Sequence, residues 1–74
     1  MVTQTLRLNY PQTLARQPVI TQLIRKFDVT VNIQQAQMTL DEAWLEIALS
    51  AEQSEFDRAL DWLKQEGITV VPVG

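Results

Sequence analysis

Side chains that carry out chemistry are few in this chain of 74 residues. It contains no histidine and no cysteine, which excludes the usual general base, thiol nucleophiles, disulfides and thiolate metal sites. What remains is Tyr10, two lysines, four arginines, and carboxylates such as Asp41, Glu42, Glu52 and Glu55. None of these residues falls into a spacing that is typical of a catalytic or metal site. We therefore predict that the chain is not an enzyme and has no catalytic residues, metal or cofactor.

The charge balance excludes a second class of function. Six basic residues against nine acidic ones give a net charge of −3 and an isoelectric point near 4.6. Binding to a phosphate backbone relies on Lys and Arg, so this composition is unsuited to nucleic acid. RNA-recognition domains also stack bases on exposed aromatic side chains of two strands, and here only Trp44 is in such a position. We expect no nucleic-acid partner.

The hydrophobic residues indicate one folded domain without a membrane segment. They make up 46% of the chain, which is typical of a globular protein. No apolar run approaches the ~18 residues that span a bilayer, and the N-terminus lacks a signal-peptide core. The length supports one core, so residues 1–74 are predicted to form a single domain. We expect a cytoplasmic protein that does not insert into membranes.

Hydrophobic periodicity predicts three plain strands and two helices. Alternation predicts strands at 3–10 and 44–50, with Leu6, Leu8, Tyr10, Leu45, Ile47 and Leu49 facing the core, and the last strand is predicted at 68–73. Helical spacing predicts a first helix that starts near Pro18 and carries Val19, Ile20, Leu23, Ile24 and Phe27, and a second with Phe56, Ala59, Leu60 and Leu63 on one stripe. Ser50 or Ser54 is expected to cap the second helix, and Gly67 is expected to end it with positive φ.

The segment VTVNIQQAQMT, residues 29–39, changes the parity of its apolar residues midway. Val29, Val31 and Ile33 are odd-numbered, whereas Ala36 and Met38 are even-numbered. One extra residue in a β-bulge keeps all five on the core side, and we place this bulge at Gln34–Gln35. The alternative is a strand that stops at Gln34.

The element order is therefore βαββαβ, which predicts an α+β, ferredoxin-like fold. Right-handed crossovers place both helices on one face of a four-stranded antiparallel sheet of order 4-1-3-2. The last strand contains Pro72, which cannot donate to a neighbouring strand and so suits a sheet edge.

The other sheet face is predicted to be free of helices and to carry a patch that joins two copies of the chain. Exposed apolar area on such a face often marks association. The predicted contact residues are Arg7, Trp44, Ala48, Val71 and Val73. The alternative is a lone tryptophan that Arg7 covers, on a face that Arg7 and Glu46 keep hydrated.

Four stretches together resemble the NIL domain family: QPVITQLIRKF, VTVNIQQAQ, WLEIALS, and the AxxWL helix before Gly67. Gln34 stands where the naming motif has leucine. The resemblance covers nearly the whole chain and implies the same βαββαβ fold. It also implies a regulatory role, because in methionine-importing ABC transporters these domains pair and bind methionine to shut down uptake.

Two functions remain open. The first is a non-catalytic regulatory domain that binds an amino acid such as methionine between two copies, with Asn32, Gln34 and Gln35 as candidate ligand-binding residues. An amide offers a donor and an acceptor to the charged ends of an amino acid, although Asn32 could instead satisfy backbone groups beside the bulge. The second is a module that docks its sheet face or edge on a protein partner and binds no small ligand.

Overall fold

The computed structural model describes residues 1–11, 19–39 and 43–73 of the chain. Within them the elements are β1 (Val2–Asn9), α1 (Val19–Lys26), β2 (Val29–Met38), β3 (Ala43–Ala51), α2 (Gln53–Gln65) and β4 (Thr69–Pro72). The predicted βαββαβ order is confirmed. The third strand was predicted at 44–50, and it instead begins one residue earlier, at Ala43. The predicted helix start at Pro18 lies outside the described residues.

The four strands form one antiparallel sheet in the order β2-β3-β1-β4, which is the predicted order read from the other edge. The two long strands β1 and β3 pair along their whole length, from Val2 opposite Ala51 to Asn9 opposite Trp44. The short strand β4 pairs with the second half of β1 and places Pro72 opposite Leu6 at the sheet edge. A proline at an edge removes no hydrogen bond from the sheet, because its missing N–H faces away from it.

The core lies between the two helices and one face of the sheet. The alternation predicted for β1 and β3 is confirmed, since Leu6, Leu8, Leu45, Ile47 and Leu49 are all buried. The helices contribute Val19 and Leu23 from α1 and Phe56, Ala59 and Leu63 from α2. Ile24 was predicted on the buried stripe of α1, but it is 48% exposed, so that assignment was wrong.

The parity change in β2 is a bulge, as predicted. Ile33 lies opposite Ile47 and Gln35 opposite Glu46, so Gln34 is the extra residue that faces no partner on β3. The register then places Ala36 opposite Leu45 and Met38 opposite Ala43, both on the helix side of the sheet. The bulge therefore keeps the apolar residues of β2 on one side.

Being on the helix side does not bury the second half of β2. Val29 and Val31 are half-buried, whereas Ile33 and Met38 are 53% and 54% exposed and Ala36 is exposed as well. The prediction that these last three residues pack in the core was wrong. The eight residues of α1 extend about 12 Å, whereas the ten residues of β2 extend about 33 Å, so α1 covers only the first part of the strand.

The free backbone groups at the two ends of α2 find hydrogen-bond partners in different ways. Its N-cap is Glu52, which makes no capping bond, so the predicted caps were wrong: Ser50 lies in β3, and its hydroxyl is 2.8 Å from that of Thr3. At the other end Gly67 has φ of 88°, as predicted. The N–H groups of Gly67 and Ile68 donate to the carbonyls of Lys64 and Leu63, each at 3.1 Å. This is the Schellman arrangement, which needs a residue that tolerates positive φ.

Tyr10 gives a prediction for alkaline solution. It is 9% exposed, and among the described residues its hydroxyl has no hydrogen-bond partner. Burial raises the pKa of this hydroxyl to about 12, because the phenolate is poorly solvated in the core. As pH rises above the ordinary pKa of ~10, the unfolded chain loses the proton first, so stability falls by up to ~1.4 kcal/mol per pH unit until the folded form also ionises.

We expect denaturant midpoints of the wild-type protein to fall between about pH 10 and pH 12 more steeply than those of Tyr10→Phe. The phenylalanine variant keeps the ring and removes only the ionising group, so it controls for every other group that titrates there. Parallel pH profiles for the two proteins would show that Tyr10 is solvated in the folded state. At neutral pH the two should be similarly stable, because the lost hydroxyl has no partner among the described residues.

Candidate functional site

The sheet face opposite the helices, called here the open face, is mostly polar. Its members follow from the strand register: Thr3, Thr5, Arg7 and Asn9 of β1, Thr30, Asn32, Gln35 and Gln37 of β2, Trp44, Glu46, Ala48 and Ser50 of β3, and Thr69 and Val71 of β4. Side chains directly opposite each other on neighbouring strands lie ~5 Å apart at Cβ. The open face is therefore a grid in which the neighbours of each residue are known.

An ion pair occupies the middle of the open face. The Arg7 Nη2 group donates to Glu46 Oε1 at 3.0 Å, and the Glu46 side chain is only 15% exposed. The Arg7 Cζ atom also lies 4.4 Å from the centre of the Trp44 ring, within the range of a cation–π contact. Arg7 thus covers Trp44, which is the arrangement that the sequence left open as the alternative to a bare tryptophan.

Arg7 retains hydrogen-bonding capacity in this position. A guanidinium has five N–H donors, and the Arg7 Nε–H is buried without a partner among the described residues. The Arg7 side chain is 42% exposed, so its outer edge is open to solvent. Arg7 can therefore donate hydrogen bonds to an anionic group, and the neighbouring Glu46 carboxylate can accept them from a cationic group.

Two of the three predicted ligand-binding amides adjoin this ion pair. Gln35 lies directly opposite Glu46, and Asn32 lies opposite Ala48 in the next row. Because Gln34 is the bulge residue, Asn32 and Gln35 follow one another on the open face. The register thus groups Asn32 and Gln35 with Arg7 and Glu46. Gln34 is exposed and has no place in this grid.

The apolar residues of the predicted patch are divided by Arg7. Val71 and Val73 are 42% and 36% exposed, and both belong to the β4 side of the sheet. Val71 lies opposite Arg7, and the Val73 N–H donates to the Thr5 carbonyl at 2.9 Å. Trp44 lies on β3, on the far side of Arg7, and is half-buried. The patch is therefore two small apolar areas with a cation between them.

The sequence prediction missed two features of β2. Gln37 lies opposite Trp44 on the open face, although it was not among the predicted site residues. The exposed Ile33, Ala36 and Met38 on the other side were assigned to the core. The sequence did contain a signal for this exposure. Residues 29–39 include three glutamines and an asparagine, which is more polar than a strand buried on one face requires.

Other kinds of site find no support in the described part of the chain. Residues 1–11, 19–39 and 43–73 contain no group of three or more acidic side chains arranged to hold a metal ion. Neither described helix is long and apolar enough to cross a membrane.

A family model, the NIL domain, matches residues 4–71. Similar proteins include the methionine import ATP-binding protein MetN 2 of Bacillus licheniformis, with 36% identity over 69 residues, and MetN of Helicobacter hepaticus, with 35% over 60 residues. These alignments cover 88% and 76% of this chain but only 20% and 17% of the relatives. The chain thus spans about a fifth of the length of the proteins that it matches.

Solved structures share the fold. The C-terminal domain of an ABC transporter ATP-binding protein from Enterococcus faecalis superposes with a TM-score of 0.80 at 24% identity, over 96% of this chain and 83% of that one. A de novo designed protein, Foldit4, superposes with a TM-score of 0.59 at 9% identity, over 97% and 94% of the two chains. At these identities the likeness concerns the fold alone.

Proposed function

Because the chain belongs to the NIL domain family, we propose that it is a non-catalytic regulatory domain that binds a free amino acid between two copies of itself. The relatives are methionine import ATP-binding proteins, so methionine is the first ligand to test. The chain aligns with about a fifth of each relative, so most of each ATP-binding protein lies outside the match.

The observation that carries this proposal is the charged centre of the open face. A free amino acid has a carboxylate and an ammonium group on adjacent carbons, and it needs an opposite charge for each. Arg7 and Glu46 offer these two charges 3.0 Å apart. The Gln35 amide lies in the same row as this ion pair and the Asn32 amide in the next row. Each amide can donate to the carboxylate or accept from the ammonium.

Methionine also fits the surroundings of this centre. Its thioether side chain makes favourable contacts with aromatic rings and small apolar groups. Trp44 and Ala48 lie on the strand that carries Glu46 and flank it on the open face. A single open sheet face buries little of a ligand, whereas binding sites usually enclose most of it. A second copy of the chain supplies the missing wall.

The contact between copies is the second part of the proposal. The patch of Arg7, Trp44, Ala48, Val71 and Val73 is the surface that the sequence predicts for it. Val71 and Val73 are more than a third exposed, which supports a contact there. The ion pair of Arg7 with Glu46 opposes it, because burying that pair costs desolvation.

Thermal unfolding in the presence of each standard amino acid tests the ligand. A ligand at ~100 times its dissociation constant stabilises the folded state by ~2.7 kcal/mol, which raises Tm by about 10 °C or more in a domain of this size. We expect methionine to do so and Asn32→Ala to abolish the shift while leaving the free protein equally stable. Thr30→Ala is the matched control, because Thr30 lies on the same strand and face but opposite Ser50. If no amino acid changes Tm, the ligand half of the proposal is wrong.

A second candidate function is a docking module without a small ligand. The exposed Val71 and Val73 at the β4 side of the open face favour it. In that case no amino acid raises Tm, and Val71→Lys abolishes binding to the partner that the wild-type domain holds.

A further inference from the structure

Two arginines of the described chain pair with a glutamate and also lie over an aromatic ring, but Arg7 is held more closely than Arg58. The Arg7 Cζ atom lies 4.4 Å from the centre of the Trp44 ring. The Arg58 Cζ atom lies 5.7 Å from the centre of the Phe27 ring, and its side chain is the more exposed of the two. Arg7 is therefore the arginine that its partners enclose, and Arg58 is a natural comparison on the helix side.

The partners of Arg7 together form a binding site for an organic cation. A carboxylate accepts hydrogen bonds from an ammonium or guanidinium group, and the face of an indole ring attracts positive charge. Glu46 and Trp44 supply these two groups from β3, in adjacent rows of the open face. The Glu46 side chain is only 15% exposed, so its carboxylate has lost much of its hydration and depends on a cation close by. In the free protein the chain fills this cation site with its own Arg7.

Arg7 is not fully satisfied in this position. Its Nε–H is buried and has no partner among the described residues, and an unpaired buried donor costs free energy. The outer edge of the guanidinium faces solvent, so the side chain can turn outward without a movement of the backbone. Val71 lies opposite Arg7 on β4 and is exposed, so the methylene stem of Arg7 can pack there. Arg7 therefore has a second position close by.

We propose that Arg7 is a built-in competitor for the cation site of Glu46 and Trp44. The ammonium group of an amino acid replaces the Arg7 guanidinium at this site, and the released Arg7 binds the carboxylate of the same ligand. This inference rests on the proposed function and deepens it, because it states how the charged centre takes up a free amino acid. It also fixes the orientation of the ligand, with its ammonium group over β3 and its carboxylate toward β4.

The exchange selects ligands that carry both charges. Arg7 is tethered beside the cation site, so its effective concentration there is on the order of millimolar or above, and a simple amine must compete with it. An amine that wins this competition leaves the Arg7 guanidinium without its carboxylate partner. An amino acid instead offers Arg7 a new carboxylate in exchange for Glu46, so that no charge loses its partner. The built-in competitor therefore rejects amines and admits zwitterions.

Two ligands that differ by one carboxylate test this exchange. Methionine and 3-(methylthio)propylamine have the same thioether chain and ammonium group, but the amine has no carboxylate. A competitor that occupies the site in about nine-tenths of the molecules weakens binding about tenfold. We therefore expect Arg7→Gln to bind the amine about tenfold or more tightly than the wild-type protein does. The same variant should bind methionine about tenfold or more weakly, because the carboxylate loses its charged partner. Titration calorimetry measures both affinities.

Arg58→Gln is the matched control for this reversal. It removes the same charge from an arginine that also pairs with a glutamate and lies over a ring, but on the helix side. Both affinities of this variant should equal those of the wild-type protein. An equal gain in amine binding for Arg58→Gln would mean that only the net charge matters, and would overturn the proposal.

Trp44 fluorescence gives a second test, which needs no ligand. The chain has two tryptophans, so Trp62→Phe leaves Trp44 as the only emitter and keeps a ring at position 62. In this background Arg7→Gln should raise the acrylamide quenching constant of Trp44, because the ring loses its cover. Glu46→Gln has nearly the same shape as the native residue and removes the charge that holds Arg7 in place. It should raise the quenching constant as well and bind no amine, which keeps the test valid if Arg7→Gln proves unstable.

The outcomes separate this inference from the proposed function. Amine binding that is equal in the wild-type protein and Arg7→Gln, or absent from both, would overturn the built-in competitor, and so would unchanged quenching in Glu46→Gln. A methionine-induced rise in Tm would then leave the ligand half of the proposed function standing. Conversely, amine binding that Arg7→Gln strengthens, without methionine binding by the wild-type protein, would support the competitor and overturn the ligand half of the proposed function.

Discussion

Replacing Ile47 by alanine is expected to lower the free energy of unfolding by about 2–5 kcal/mol. Ile47 is 0% exposed at the centre of β3, a central strand that pairs with β1 on one side and with β2 on the other. Its side chain fills the space under the helices, and neighbouring groups can close only part of the cavity that truncation leaves. Since small domains are stable by ~5–15 kcal/mol, the variant should be close to unfolding at physiological temperature. Denaturant titration measures the change.

Ile33 supplies the matched control for this experiment. It is the direct cross-strand partner of Ile47 and shares its side of the sheet, but it is 53% exposed. Ile33→Ala should therefore cost about 1 kcal/mol or less in the monomer, since little apolar area is lost from the core. Similar losses for the two variants would contradict this account, because they would show that Ile33 is buried in the folded domain as Ile47 is.

Truncating Phe56 to alanine is expected to destabilise the domain by about 3–5 kcal/mol. Phe56 is 4% exposed in the first turn of α2, and its N–H donates to the Glu52 carbonyl at 2.8 Å. The N-cap of this helix makes no side-chain capping bond, so packing of the first turn on the core holds the helix start in place. The variant should lose both the buried ring and helical content near the start of α2. Thermal unfolding monitored by circular dichroism reports both.

Phe27, the other phenylalanine, is the comparison for Phe56. It is half-buried after α1, with its ring centre 6.0 Å from that of Trp62 in a tilted contact. Phe27→Ala removes that contact and part of an apolar surface, so it should cost roughly 1–2 kcal/mol. A larger loss for Phe27 than for Phe56 would contradict this account, because it would move the main support of the helices from the core to its rim.

The sequence is sufficient to predict the sheet and its order. Alternation in β1 and β3 is strict, so the buried set needs only the period of a strand. Gly67 and Pro72 each mark a position that few other residues tolerate, a positive φ and a sheet edge. The bulge was also predictable, because only an extra residue reconciles the parity of Ile33 with that of Ala36. Local rules were enough wherever a residue type is compatible with only one structural position.

Which side chains a helix buries, and which groups they form hydrogen bonds with, could not be predicted in the same way. Periodicity places Ile33, Ala36 and Met38 on the helix side, but whether a helix lies above them depends on where α1 starts and ends. Serine is a residue type that often caps helices, yet the Ser50 hydroxyl is hydrogen-bonded to the hydroxyl of Thr3 on the neighbouring strand. In each case a tertiary contact decides between two local possibilities.

The candidate site shows the same limit. The sequence places Arg7 and Trp44 on one face of the sheet, which is compatible with a bare tryptophan and with a covered one. The structure selects the covered form, with Arg7 between the ring and the carboxylate of Glu46. Arg7 has a long side chain with several possible rotamers, and which rotamer it adopts depends on its neighbours on two strands. The choice matters, because it turns an apolar patch into a charged centre.

The β4 edge of the sheet limits how far the sheet can be extended. A sheet edge with unpaired backbone groups can template another strand and so lead to aggregation. Here β4 is only four residues long and ends at Pro72, and both features protect this edge from such pairing. The proline of β4 thus acts as a terminator of sheet growth, in a strand that contributes little to the core.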